Sequence, residues 1–130
     1  MLGEIHHNAY VFKDLEVAVN IFKDLFGIEQ FNRIDMGVVK VARSMIGKLQ
    51  IDLLEPQDNE SIFRTFLENG NSGLHHIGFL IDNIDEKIKD WDSKGKKQVL
   101  GGLIGPVKFV YYDTTATLGH ITEFLQYNYK

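Results

Sequence analysis

IHHNAYVF at residues 5–12 and LHHIGFLI at residues 74–81 each set a doubled histidine inside an apolar run. Laying His7 on His76 gives an offset of 69 that also places Ile5 on Leu74, His6 on His75 and Asp14 on Asn83. The match runs on through Leu15 on Ile84, Glu16 on Asp85, Val19 on Ile88 and Phe22 on Trp91. These are the spaced apolar positions of a helix following a strand, kept in kind, and they indicate a duplicated unit.

Each unit reads as strand, helix, then further strands. Residues 4–12 have the apolar and aromatic content of a strand. Asp14 caps a helix with an inner face of Leu15, Ala18, Val19, Phe22, Leu25 and Phe26, and Gly27 stops it. Residues 38–43 and 48–56 are strands joined by a turn near Gly47. The second unit has a strand at 74–81, a helix from Asn83 to Lys94 stopped by Gly95, and strands at 108–112 and 119–127. Between the units, residues 61–70 form a short helix burying Ile62, Phe63, Phe66 and Leu67. The expected fold is α+β, with two tandem βαβββ modules in one curved mixed sheet around a cleft. It occupies a single domain over 1–130, with module one at about 3–56, a connecting helix at about 57–71 and module two at about 73–130. Segments 30–37 and 98–107 read as cleft-lining loops, and GGLIGP (101–106) as a plain turn.

Composition removes several classes of function. Net charge is −4, against a nucleic-acid or anionic-membrane surface. Without cysteine, thiolate ligands and disulfides are excluded, and a cytoplasmic setting is expected. MLGEIHHNAY has no basic stretch followed by an apolar one, so it does not read as a signal peptide.

Alternation selects the candidate site. Ile5, His7, Ala9 and Val11 share one face of the first strand, so His7 is the imidazole on the aliphatic side. Ile121, Glu123 and Leu125 share a face of the last strand, which makes Glu123 a carboxylate among aliphatics and costly to bury alone. The repeat equates His76 with His7. Asp52 lies on a face with Gln50 and Leu54, and its equivalence to Glu123 needs two extra residues in the second module. Taken singly, a strand histidine is more often a packing residue, and a strand carboxylate more often faces water. Two imidazoles and two carboxylates at corresponding places in a repeat favour a metal site. Lysines 94, 96 and 97 read as a solvated helix end.

HHNAYVFKDLEVAVNIFKDLFGIEQF (6–31), IDLLEPQDNESIFRTFLENGNSGLHHIGFLIDNID (51–85) and TLGHITEFLQY (117–127) resemble, in that order, the vicinal-oxygen-chelate superfamily. That superfamily includes glyoxalase I, methylmalonyl-CoA epimerase, extradiol dioxygenases and antibiotic-resistance proteins. The middle stretch is most similar to the epimerase branch. The resemblance implies His7, Asp52, His76 and Glu123 as ligands of a divalent ion (Co, Ni, Zn, Mn or Fe), with Glu123 as the base. It also implies a small 2-oxo, thioester or hemithioacetal substrate and a homodimer.

Three departures stand out. Asp52 replaces the Gln or Glu usual in epimerases. Lys40 stands where the epimerase branch often has a catalytic carboxylate. YDTTATLGH (112–120) replaces the acidic turn of glyoxalase I. Tyr111 and Lys40 are candidate substrate contacts. The leading expectation is a metal-dependent isomerase, epimerase or lyase that removes a proton beside a carbonyl. The alternatives are an Fe(II) extradiol-type dioxygenase and a metal-free binding protein of the resistance type.

Overall fold

A computed structural model describes residues 3–130, leaving Met1 and Leu2 outside it. The element order is β1 (Glu4–Val11), α1 (Leu15–Phe26), β2 (Asn32–Asp35), β3 (Val39–Ile46), β4 (Leu49–Pro56), α2 (Ile62–Glu68), β5 (Gly73–Leu80), α3 (Ile84–Ser93), β6 (Gln98–Ile104), β7 (Val107–Tyr112), α4 (Thr115–Leu118) and β8 (Ile121–Gln126). The chain is α+β, and its strands form one eight-stranded sheet in the order β2-β3-β4-β1-β5-β8-β7-β6. Two βαβββ runs are present, as the repeat requires. The described residues gather into two compact units, residues 7–75 and residues 3–6 with 76–130. Among the described residues, no helix is long and apolar enough to cross a membrane.

In the first unit, the Asp14 carboxylate accepts the Val17 backbone N–H at 3.1 Å, and Gly27 ends α1 in the left-handed region at φ 67°. Only glycine takes that conformation without penalty. α1 buries Leu15, Ala18, Val19 and Phe22 against Ala42, Ile51 and Leu53. Leu25 and Phe26, expected inside, are 67% and 61% exposed. The apolar cluster under α1 is used up by its earlier turns, and Phe26 only leans on the Phe22 ring at 5.5 Å.

The second unit repeats this plan with a more polar helix. Asn83 caps α3 through Glu86 N–H at 3.1 Å. The core here is Ile81, Ile84, Val110, Tyr112 and Phe124, with Phe79, Ile88 and Trp91 packed against it.

Hydrogen bonds extend the repeat beyond what apolar spacing reveals. The Glu55 carboxylate at the end of β4 accepts the first N–H of α1, from Leu15, at 2.9 Å. The Gln126 amide oxygen at the end of β8 accepts the first N–H of α3, from Ile84, at 2.8 Å. Each last strand thereby ties down the N-terminus of its own helix.

Two segments expected as loops are edge strands. β2 is four residues long and mostly exposed, too short and polar to announce itself. β6 contains Gly101 and Gly102, which lower its strand propensity. It forms because β7 pairs with it on both sides of an irregularity at Val99, with Gly102 opposite Phe109. A Cβ added to Gly102 would lie 3.5 Å from the Phe109 ring, so the aromatic covers the gap that the glycine leaves. GGLIGP is therefore the end of a strand and a tight turn at Gly105–Pro106.

Candidate metal centre

Parallel pairing sets the site. β1 pairs with β4 in a register that puts His7 beside Gln50 and Ala9 beside Asp52. β5 pairs with β8 so that His76 lies beside Ile121 and Gly78 beside Glu123. In both modules the carboxylate pairs with the residue two beyond the histidine. Asp52 and Glu123 are thus equivalent positions, as the two-residue insertion requires. Both lie on the face turned away from the helices, because Ile51, Leu53 and Phe124 occupy the helix-covered side.

The two histidines of each pair do different work. His75 is buried between Phe63 and Phe66 of α2, each ring 5.0 Å from its own. His6 is hydrogen-bonded to the Tyr127 hydroxyl. His7 and His76 take the other face, and both are buried. His76 Nε2 stands 3.3 Å from Glu123 Oε1, in a pair 2% and 8% exposed. Tyr111, opposite Glu123 on β7, sets its ring edge-on to His76 at 4.8 Å. Donor atoms of His7, His76 and Glu123 all lie within 4.8 Å of one another, the one such group among the described residues.

That set suits a divalent first-row ion. Two imidazoles and a carboxylate without thiolate match Co, Ni, Zn, Mn or Fe(II). Two donors bound to one ion at about 2.1 Å are at most about 4.2 Å apart, a limit that His76 Nε2 and Glu123 Oε1 meet at 3.3 Å. Burying a carboxylate beside two imidazoles costs several kcal/mol, roughly, unless opposite charge compensates it. A core built for packing alone would not gather these three.

Asp52 is placed differently. Arg43 Nε and Nη2 donate to its two oxygens at 2.8 and 3.2 Å, and Gln50 Nε2 lies 3.2 and 3.3 Å from the same pair. Lys40 is exposed, lies opposite Glu55, and shares its strand face with Ala42 on the helix-covered side. Register therefore turns it away from His7 and Asp52. Arg43 and Gln50 were not among the residues singled out in the sequence. The signal was present, since a two-residue turn at Gly47–Lys48 sets Ile46 against Leu49 and hence Arg43 against Asp52.

The sequence model of the Glyoxalase/Bleomycin resistance protein/Dioxygenase superfamily matches residues 6–106. The chain belongs to that superfamily. Among its relatives, the mitochondrial methylmalonyl-CoA epimerase of Homo sapiens is 30% identical over 96 residues, covering 72% of this chain and 54% of that protein. The corresponding protein of Dictyostelium discoideum is 29% identical over 92 residues, covering 68% of this chain and 55% of that protein. The chain thus spans about half the length of these relatives.

A variant of Streptomyces coelicolor methylmalonyl-CoA epimerase, in complex with 2-nitronate-propionyl-CoA, superposes with a TM-score of 0.80. The identity is 22%, with 98% of this chain and 96% of that one covered. The shared fold therefore includes β7 and β8, beyond the end of the superfamily sequence match. Those two strands carry Tyr111 and Glu123.

Proposed function

We propose that this superfamily member is a metal-dependent epimerase acting at the carbon between the carbonyls of a CoA thioester. The carrying observation is the buried group of His7, His76 and Glu123, with donor atoms within 4.8 Å of one another. The relatives named methylmalonyl-CoA epimerase supply the reaction class. His7, His76 and Glu123 would hold the ion. A bound divalent cation polarises the carbonyl and stabilises the charge that develops when the neighbouring proton leaves.

Glu123 would serve as both ligand and base in this reading, one carboxylate oxygen for each task. Its attack breaks the C–H bond, and the electron pair delocalises into the thioester carbonyl. Water on the opposite side of the planar carbon returns a proton there, and Glu123 releases the one it took to solvent, which completes the inversion. The Tyr111 ring packs against His76 and limits the rotation of that imidazole. Lys40, on the other face, takes no part.

The test is proton exchange at that carbon. Metal-loaded protein in deuterated water should label methylmalonyl-CoA at C2, followed by NMR. Glu123→Gln should lower the rate by about 100-fold or more. Metal-loaded protein that leaves C2 unlabelled would sink the reading.

Two histidines and one carboxylate also form the set used with Fe(II) and dioxygen. The engagement of Asp52 by Arg43 favours this second reading. Oxygen uptake with catechols, in place of exchange at C2, would select it.

A further inference from the structure

We propose that Arg43 withholds Asp52 from the cation, so that this chain grips its ion through His7, His76 and Glu123 alone. The inference rests on the metal reading above and fixes its ligand count.

A carboxylate offers about four lone-pair sites. Around Asp52 they are matched by four donor approaches: Arg43 Nε and Gln50 Nε2 to Oδ1, Arg43 Nη2 and Gln50 Nε2 to Oδ2. The guanidinium stays charged at any working pH and holds both oxygens in a fork. The Asp52 side chain is 9% exposed, so the pair is shielded from water on the carboxylate side. To reach a metal, Asp52 would have to leave Arg43 and bring a second cation close to the guanidinium.

The duplication supplies an internal control. Asp52 and Glu123 occupy equivalent register positions, each opposite one residue of the next strand. For Asp52 that residue is Arg43, and for Glu123 it is Tyr111. Glu123 faces a neutral aromatic and lies 3.3 Å from His76, whereas Asp52 faces an arginine that forks both its oxygens. Asymmetry at one cross-strand position thus turns a potential four-ligand set into three.

Charge follows from the count. A divalent ion with one carboxylate keeps a net charge of +1, whereas a second carboxylate would cancel it. Three protein ligands also leave one more position for substrate or water than four would. Both consequences favour a substrate that is anionic and offers two oxygens.

Cobalt binding by the full-length, untagged chain tests this by titration calorimetry and the visible spectrum of bound Co(II). Asp52→Asn should leave the cobalt Kd within about threefold and the spectrum unchanged, whereas Glu123→Gln should weaken binding by about 100-fold or more, at or beyond the upper end of what losing an outer-shell partner costs. Arg43→Met should release Asp52 and alter the Co(II) spectrum. Combining it with Asp52→Asn should restore the original spectrum.

Weakening by Asp52→Asn as large as that by Glu123→Gln would overturn the inference while leaving the metal reading intact. An unchanged spectrum in folded Arg43→Met would remove Arg43 from the explanation. If Arg43→Met fails to fold, the Asp52→Asn titration decides alone. Wild-type protein that takes up no cobalt would end both readings.

Discussion

Glu123 and Asp52 stand in the same register, yet their environments differ, and chemistry follows environment. Glu123 lies 3.3 Å from His76 and opposite a tyrosine, while Asp52 is forked by an arginine. At this scale the first expectation is that His7→Ala abolishes stoichiometric metal uptake, because it removes one donor of a three-donor group; elemental analysis of untagged protein measures it. Tyr111→Phe tests the hydroxyl separately from the ring. The ring contact at 4.8 Å survives that change, so metal uptake should hold while the rate reports what the hydroxyl contributes. Alternation along the strand was enough to single out His7 and Glu123, since a polar residue on an aliphatic face is visible in the letters. Arg43 escaped because its part depends on what lies across the strand.

Each helix is held at its start by the strand that closes its module. Glu55 accepts from Leu15 and Gln126 from Ile84, in both cases at the first helical N–H, which has no partner inside the helix. Glu55→Ala and Gln126→Ala should each cost about 1–2 kcal/mol, read from urea unfolding. The two losses should add, because the tethers belong to separate units. Equal stability of wild type and both variants would show that water replaces the tethers without cost. Helix starts and stops were legible at Asp14, Gly27 and Asn83, where short-range chemistry decides. The strands β2 and β6 were not, since one is four polar residues and the other carries two glycines. Both owe their form to the neighbour they pair with.

For the chain as a whole, the second core sets a limit on alkaline stability. Burial, and then the Asp92 carboxylate 2.8 Å from its hydroxyl, push Tyr112 up from the ordinary value of 10.0 to about 12. The folded chain holds that proton more tightly than the unfolded chain does. The resulting stability is complete below pH 10 and disappears as the pH climbs through about 12. Unfolding free energy should fall across that window by at most about 2–3 kcal/mol, and Tyr112→Phe should remove this part of the decline. A decline unchanged in Tyr112→Phe would place its origin elsewhere.

The letters by themselves determined the duplication, the α+β class and the inward faces of β1 and β8, because these depend on periodicity and local capping; the superfamily was legible only as a resemblance of ordered motifs. Tertiary structure alone decided which carboxylate joins the histidines. Asp52 and Glu123 hold equivalent places in the repeat, and only cross-strand pairing brings an arginine to one and a tyrosine to the other.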